Sequence, residues 1–397
     1  MSEVIKQTAP EFGRLQGYAL IAGISGLALC GVGWFVNAEQ FFRSYLVAFV
    51  FWTGLALGCL GILMLQYLTG GAWGIIIRRA LEAATGTLPL MALLFVPLIF
   101  GIHHLYIWSH PADFVADEVL HKILLHKQPY LNTPFFIARA CLYFILWAGT
   151  GFLLNRWSLE RDRTNDARFT LRLQALSGPG LFVLALTLTF AMIDWVMSLE
   201  PRWYSTIYGV TFIAGETLAG FAFIIAIFIL LARYKPLADV LRPRHYRDLG
   251  NLLLAFVMLW AYCAFSQFLL IWSGNLREET PWYLRRTAGV WGWVSIALIA
   301  LHFFLPFFLL LSGDVKRNAR RLAIVAGVVI LMRFVDVIWL VEPAFPQTHW
   351  TLHWMDFVAM LGTGGVWLWL FFQRLKGRPL LPVNDPYMRE ALSDEPE

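Results

Sequence analysis

Apolar residues in this sequence are gathered into ten long runs that are separated by short polar segments. Each run contains about 20 residues or more with few charged side chains, which is the length that an α-helix needs to cross about 30 Å of hydrocarbon. The pattern therefore predicts an all-α integral membrane protein with about ten transmembrane helices. The predicted helices cover residues 17–36, 45–68, 85–107, 133–155, 176–198, 207–233, 249–273, 287–312, 320–341 and 353–373.

Two sequence signatures recur four predicted helices apart. LYIWSH (residues 105–110) closes the third helix, and LLIWSG (residues 269–274) closes the seventh. DWVMSLEP begins at Asp194 near the end of the fifth helix, and DVIWLVEP begins at Asp336 near the end of the ninth. Because four is an even number of crossings, both copies run in the same direction and would be related by an axis along the membrane normal.

This internal repeat predicts how the chain is divided. The four helices of each copy are expected to form one four-helix bundle, with the first and last helices outside the repeat. The tail is rich in proline and acidic residues without apolar periodicity, which predicts a flexible cytoplasmic extension. The predicted units are residues 1–44 (N-terminus and first helix), 45–200 (first bundle), 201–343 (second bundle), 344–376 (last helix) and 377–397 (tail).

The composition excludes several classes of protein. Hydrophobic residues make up 59% of the 397 residues and charged residues 14%, whereas soluble domains are about one-quarter charged. Disordered and nucleic-acid-binding proteins are excluded, and the net charge of +5 is interpreted as a topology signal. Lysine and arginine number 22 in the two tails and the even-numbered loops, against 7 in the odd-numbered loops. The positive-inside rule then places both termini in the cytoplasm of a bacterial inner membrane.

One segment between the second and third helices has a mixed character. GAWGIIIRRALE, residues 71–82, has an apolar body and a basic end. Segments of this kind commonly lie in the plane of the membrane interface. This segment is therefore predicted to lie along the membrane surface before the chain re-enters the bilayer.

Metal sites and covalently bound cofactors are not predicted for this chain. The four cysteines lie inside apolar runs, and no pair has the CxxC spacing typical of zinc or iron–sulfur sites. Two transmembrane b-type haems would need four axial ligands in facing pairs. Only His103, His104 and His302 lie well inside the predicted helices, so haem is not predicted either.

Ionisable residues near the periplasmic ends of the first bundle form the first candidate site. They are His103 and His104 in the third helix, Arg139 in the fourth and Asp194 in the fifth. Such residues are costly in hydrocarbon, so each needs a partner or a function. A histidine beside a carboxylate can accept the two protons of a quinol while its electrons pass to another group. The alternative is a hydrogen-bonded pair that holds the first bundle together.

A second group of ionisable residues lies in the second bundle and the last helix. Glu216 and His302 lie near mid-depth, Arg333 and Asp336 are three residues apart in the ninth helix, and Asp356 begins the tenth. These five residues are candidates for a proton pathway. Two alternatives are open: Glu216 and His302 are neutral, hydrogen-bonded interior residues, and Arg333 and Asp336 neutralise each other as an ion pair.

Four segments carry a resemblance to a known family: QYLTGGAWG (66–74), HHLYIWSHP (103–111), KQPYLN (127–132) and DWVMSLEPRWYSTIYG (194–209). In these segments the chain resembles the membrane subunits of alternative complex III, which belong to the wider NrfD/PsrC-like, polysulfide-reductase-type family. The resemblance covers essentially the whole chain. A length near 400 residues with a short C-terminal extension is more similar to the ActF type than to the larger ActC type.

The resemblance implies two four-helix bundles with flanking helices inside a larger complex. Its partners would be an ActC-type paralogue, an ActB-type iron–sulfur subunit, ActA and ActE haem c subunits, small helical subunits and a terminal oxidase. Haem c and iron–sulfur clusters would lie in those partners, while quinone or menaquinone and lipids would bind the membrane part. Such a complex oxidises menaquinol or ubiquinol on the periplasmic side and passes electrons towards cytochrome c or a terminal oxidase.

The same resemblance implies where the site would lie. It places quinol binding among polar residues near the periplasmic ends of the first bundle, which His103 or His104 and Asp194 match in position. It attributes quinol binding more to ActC-type subunits and a proton-conducting role to ActF-type subunits. A proton-coupled transporter and a purely structural scaffold are the alternative functions. The two halves lack matching helices broken by glycine or proline, which disfavours the transporter.

Overall fold

The structure is a computed structural model that describes residues 13–234, 237–345, 353–376, 378–382, 384–385 and 387–388. The described residues are 85% helical and contain no strand. They include ten helices that are long and apolar enough to cross a membrane. The prediction of an all-α integral membrane protein is therefore confirmed.

The ten spans are labelled α1 to α10 in chain order. Their bounds are α1 Gly13–Val36, α2 Ala38–Thr69, α3 Arg78–Phe100, α4 Thr133–Thr164, α5 Ala167–Leu199, α6 Tyr208–Leu231, α7 Pro243–Gly274, α8 Gly289–Leu311, α9 Ala319–Ala344 and α10 Trp354–Leu375. The side on which α1 begins and α10 ends is called the terminal face, and the other side is called the opposite face. The terminal face is the one that the sequence predicts to be cytoplasmic.

Local sequence signals set several helix ends. The side chain of Asn37 accepts a hydrogen bond from the backbone N–H of Gln40 at the start of α2. Asn132 caps α4 in the same way, by accepting from the N–H of Phe135. Asparagine is a preferred residue at this position because its side-chain oxygen satisfies a free N–H group of the first turn. At the other end of α4, Asn165 adopts the left-handed conformation (φ 54°) that commonly ends a helix.

Helix contacts follow the division that the repeat predicts. Helices α2 to α5 contact one another in a closed ring, and helices α6 to α9 form a second closed ring. The two rings meet mainly through α2 and α6, the first helix of each ring. Helix α10 packs on α2 and α3, and α1 packs chiefly on α10.

Glycines allow α1 and α10 to approach closely. A Cβ atom at Gly26 would lie 2.6 Å from the Cα of Gly362, and one at Gly23 would lie 2.6 Å from the backbone N of Val366. Small residues at such positions let helix backbones touch, which is the usual basis of helix association in membranes. The two helices outside the repeat therefore form a pair of their own.

The segment predicted to lie on the membrane surface is instead buried. Residues Arg78–Thr85 form the first part of α3, and Arg78, Arg79 and Glu82 are each 1% exposed or less. The prediction was wrong because Arg78 pairs with Asp385 and Arg79 pairs with Asp162, as well as with Glu82 of the same segment, and not with lipid headgroups. Asp162 and Asp385 are distant in sequence, so the local pattern of residues 71–82 does not reveal them.

The described part of the tail also departs from the prediction of a flexible extension. Asp385 is buried and forms ion pairs with Arg78 and Arg161. Asn384 donates from its side chain to the carbonyl oxygen of Asp162 (2.9 Å). These contacts tie the described tail residues to the terminal-face ends of α3 and α4, while residues 389–397 lie outside the described part.

Candidate functional site

A buried ion pair links α4 to α5 near the opposite face. The Nε and Nη2 atoms of Arg139 each donate to one carboxylate oxygen of Asp194, both at 2.8 Å. The hydroxyl of Tyr143 donates to the same carboxylate at 3.0 Å. Tyr143 follows Arg139 by four residues, so both side chains leave the same face of α4. A two-point pair of this kind is strong and fixes the orientation of both groups.

Aromatic rings cover the outer side of this pair. The guanidinium of Arg139 lies 3.9 Å from the ring centroid of Tyr130 and 4.3 Å from that of Phe135. Its Nη1 atom donates to the backbone oxygen of Tyr130 at 2.9 Å. Burial and the nearby carboxylate of Asp194 raise the pKa of the Tyr130 hydroxyl. Tyr130 therefore keeps its proton at neutral pH and can act as a hydrogen-bond donor.

A cleft of about 350 Å³ opens on the opposite face beside Tyr130. Its walls come from the α3–α4 connection, the end of α5 and the α5–α6 connection. The lining residues are His126, Lys127, Pro129, Tyr130, Leu131, Ile193, Met197, Ser198, Pro201 and Trp203.

The short helix Glu118–Lys127, which the sequence does not predict, positions two basic residues at the cleft. His126 and Lys127 occupy its last turn. Lys127 Nζ donates to the backbone oxygen of Pro201 at 2.8 Å, which holds this helix against the end of α5. His126 is exposed on the opposite face.

The structure does not bring the two predicted histidines to Asp194. His103 and His104 are exposed and do not line the cleft. His104 stacks on Phe42 with ring centroids 5.2 Å apart, and His103 stacks on His110 at 4.2 Å. The inner face of this turn carries Tyr106 instead, whose hydroxyl donates to the backbone oxygen of Trp195 at 2.9 Å.

A second buried cluster lies at mid-membrane depth in the second ring. Arg333 Nη2 donates to Glu216 Oε1 at 2.8 Å, and Arg333 Nη1 pairs with Asp336. The three residues are at most 4% exposed. The predicted Arg333–Asp336 ion pair is present, and Glu216 of α6 joins it as a second carboxylate.

Two glycines make room for this cluster. A Cβ atom at Gly54 of α2 would lie 1.9 Å from the carboxyl carbon of Glu216. A Cβ atom at Gly215 would lie 2.4 Å from Arg333 Nη1. The carboxylate of Glu216 therefore lies directly at the contact between the two rings.

His302 of α8 is also fully buried. It lies in the π-helical stretch Leu298–Phe304, one turn before Pro306, and its ring meets Trp260 edge-on at 4.2 Å. Among the described residues, neither ring nitrogen of His302 has a hydrogen-bond partner, and the same is true of Glu216 Oε2. Buried polar atoms are usually paired, and π-helical stretches occur often at functional sites. These two residues are thus among the polar groups of the second ring with free hydrogen-bonding capacity, together with Trp260 Nε1 and Arg333 Nε.

Asp356 is not part of this cluster. It accepts hydrogen bonds from Ser44 Oγ at 2.5 Å and from the backbone N–H of His353 at 2.9 Å. These contacts cap the start of α10 and join it to the start of α2 at the opposite face. Asp356 therefore lies in a helix cap at the opposite face, where the sequence placed it, and its side-chain contacts do not join it to Glu216 or His302.

Sequence reasoning also missed two charge networks. On the terminal face, Glu82 accepts from Arg79 and from Ser158, both at 2.5 Å, and from the hydroxyl of Tyr67 at 3.1 Å. On the opposite face, Glu200 pairs with Arg286 at 2.7 Å and with Arg285 at 2.8 Å. Glu200 belongs to the repeated Glu-Pro signature, so that signature was a signal for an ion pair between the two rings.

Comparison with models of known protein families gives no match, and comparison with curated proteins gives none either. Among the described residues, no group of three or more histidine, cysteine or acidic side chains could hold a metal ion. The geometry of the two clusters and of the cleft is therefore the basis for assigning a function.

Proposed function

We propose that this chain is the membrane subunit of a quinol-oxidising redox complex of the alternative complex III type, and that the cleft beside Tyr130 binds the quinol. The observation that carries the proposal is an apolar cleft on the opposite face that is lined by Tyr130, whose ring packs on the guanidinium of the buried Arg139–Asp194 pair. Ligand sites of this kind combine apolar walls with a few fixed polar groups. The positive-inside rule makes this face periplasmic.

The cleft offers the groups that quinol oxidation requires. Ile193, Met197 and Trp203 supply apolar and aromatic walls for the quinol ring and its isoprenoid chain. The protonated hydroxyl of Tyr130 donates a hydrogen bond to one oxygen of the ring. His126, at the rim, is the residue placed to accept a proton from the other oxygen.

Oxidation converts the quinol to a quinone with loss of two electrons and two protons. We assign the electrons to a haem c or an iron–sulfur cluster of a partner subunit, and the protons to His126 and then to periplasmic water. Asp194 does not take part directly, because both of its oxygens are engaged by Arg139. Its role is to hold Arg139, and through Arg139 the ring of Tyr130, in place.

The test compares His126→Ala with His103→Ala in the assembled complex. We expect His126→Ala to lower quinol oxidation by about 100-fold or more, as removal of a proton acceptor does. His103→Ala, a matched loss of one imidazole outside the cleft, should leave the rate unchanged. Tyr130→Phe keeps the ring over Arg139 and should raise the KM for quinol. Wild-type kinetics in His126→Ala and Tyr130→Phe would leave only a scaffold role, and loss in His103→Ala alone would refute the cleft.

A second function, proton conduction through the membrane, is favoured by a separate observation. Glu216 and His302 are buried at mid-depth with free hydrogen-bonding atoms, beside an arginine that already has a second carboxylate. A water between such groups would satisfy them and would also pass protons. In the proposed complex this path would couple quinol oxidation to the proton-motive force.

A further inference from the structure

A second cleft of about 350 Å³ lies on the terminal face, between α3, α4 and α10. It is separate from the cleft beside Tyr130, which lies on the opposite face. Four arginines line it: Arg156 and Arg163 from α4, Arg374 from α10, and Arg378 just after α10. Only one acidic side chain, Glu160, shares the lining, and it pairs with Arg163 at 3.5 Å.

The wall that α4 contributes changes from apolar to basic along the helix. Ala148 and Phe152 line the part nearer the membrane centre, and Arg156 and Arg163 line the part nearer the aqueous phase. These residues are spaced by four or seven and therefore share one face of the helix. Phe152 is 62% exposed, so this face is open to the lipid phase.

The arginines are only partly neutralised by the protein. Among the described residues, Arg156 and Arg374 have no ion-pair partner. Arg378 donates from Nη1 to the side-chain oxygen of Asn155 at 3.0 Å, which fixes its position at the inner wall. Burial is the main cause that lowers the pKa of Arg378, with smaller contributions from the charges of Arg79 and Arg374, while Glu82 acts in the opposite direction.

Glycine 86 shapes the cleft. A Cβ atom at Gly86 would lie 3.3 Å from Cγ of Arg374, so the arginine stem lies against the bare backbone of α3. This arrangement leaves the charged end of Arg374 exposed at the aqueous side. The cleft thus has an apolar floor and a basic rim at the terminal-face end of α4.

We propose that this cleft binds an anionic phospholipid, with the phosphate among Arg156, Arg374 and Arg378 and an acyl chain along Phe152. Arginine recognises phosphate through several charge-assisted hydrogen bonds at once. Basic clefts between transmembrane helices on the cytoplasmic side are suited to anionic lipid headgroups. The proposal does not depend on the quinol site, since the two clefts share no residue.

The test measures lipid binding to the purified full-length protein, in its complex where it forms one. Native mass spectrometry in detergent would count bound dioleoyl phosphatidylglycerol and, separately, dioleoyl phosphatidylcholine. The variant Arg156→Gln/Arg374→Gln removes two charges from the cleft. The matched control Arg168→Gln/Arg172→Gln removes two exposed charges from the same face outside the cleft.

We expect phosphatidylglycerol to bind more tightly than phosphatidylcholine and the cleft variant to lose about 30-fold in affinity, about fivefold for each arginine. The control should change little, and Arg156→Lys/Arg374→Lys should retain most of the binding, which guards against a folding defect. Equal binding of both lipids, or equal loss in the control, would overturn the proposal. Displacement of the lipid by millimolar inorganic phosphate would show that the site recognises a soluble anion instead.

Discussion

Buried charge is the main feature at the scale of single residues. Arg139 and Asp194 are 7% and 0% exposed, and Arg333 is also fully buried. Removing water from an ion is costly, so each charge needs a partner of good geometry. Both arginines have one, but they are satisfied differently. Arg139 has a single carboxylate that is fully engaged, whereas Arg333 shares its charge between two carboxylates, one of which keeps a free oxygen.

Because the carboxylate of Glu216 keeps an oxygen without a partner, Glu216 is the residue whose substitution tests the proton path. In Glu216→Gln the amide oxygen can still accept from Arg333, so the fold should survive, but the side chain can no longer exchange a proton. We expect quinol oxidation to continue while the number of protons translocated per electron falls. Proton uptake and release by proteoliposomes that contain the assembled complex would measure this ratio.

Asp356→Asn is the matched control for Glu216→Gln. It also converts a carboxylate to an amide within an apolar helix, but Asp356 caps α10 at the opposite face. We expect its proton ratio to equal that of the wild type. An unchanged ratio in Glu216→Gln would remove the proton path and leave the cluster with a structural role.

Helix packing at the scale of elements depends on close contact between α2 and α6. A Cβ atom at Gly58 would lie 2.0 Å from the backbone oxygen of Glu216. A Cβ atom at Gly220 would lie 2.9 Å from the backbone N of Cys59. Small residues facing each other in this way allow the central helices of both rings to touch. The position of the Glu216 carboxylate at the ring interface follows from this contact.

Gly58→Ala should therefore lower the stability of the folded protein, although alanine favours helices. Alanine gains about 0.5–1 kcal/mol over glycine in a helix interior. Overpacking costs about 1–3 kcal/mol, and here the clash is with backbone that cannot turn aside. We expect a net loss of stability, seen as a lower thermal unfolding temperature of the purified protein.

Gly61→Ala provides the comparison on the same helix. A Cβ atom at Gly61 would lie 3.5 Å from a methyl carbon of Leu184, which is ordinary contact distance. This substitution should leave stability unchanged or raise it slightly. If both variants were equally stable, tight packing of α2 against α6 would not be what holds the two rings together.

At the scale of the whole molecule, the sequence predicted the features that depend on the length of the apolar runs and on the depth of residues along each helix. The ten spans follow from the number of apolar residues needed to cross the bilayer, which is a local property. The pairing of Arg333 with Asp336 follows from their spacing on one helix. The two-ring arrangement of contacts agrees with signatures that recur four helices apart.

The sequence did not predict the contacts that depend on how a helix is rotated about its axis or on partners that are far away in the sequence. His103 and His104 lie at the expected depth but on the outer face of their turn, and depth alone does not fix that face. His126 lies in a loop helix whose position depends on the contact of Lys127 with Pro201. The burial of Arg78 depends on Asp385, about 300 residues further along the chain. Short-range patterns carry no information about such contacts.

The contact of the tail with α3 and α4 determines how the terminal face is held together. Burial alone would raise the pKa of the Asp385 carboxyl, but Arg78 and Arg161 outweigh it and lower the pKa below the usual value. A carboxyl whose pKa is lowered on folding stabilises the folded state above its unfolded pKa of about 3.9. The contribution is lost as the pH falls through the lower, folded pKa. The tail should therefore stay docked at neutral pH and detach in strong acid.

Asp385→Asn tests this contact at neutral pH. The change leaves Arg78 and Arg161 buried without a full counter-charge, and breaking a buried pair in this way costs about 3–5 kcal/mol. Because proteases cleave the opened form, cleavage within residues 376–388 should become more than about 100-fold faster, as measured by mass spectrometry of the fragments. Asp314 is an exposed carboxylate near the start of α9. The Asp314→Asn variant is the control, and its tail should be cleaved at the wild-type rate. Equal cleavage of Asp385→Asn and wild type would mean that the apolar contacts of Leu380 and Leu381, both buried, suffice to dock the tail.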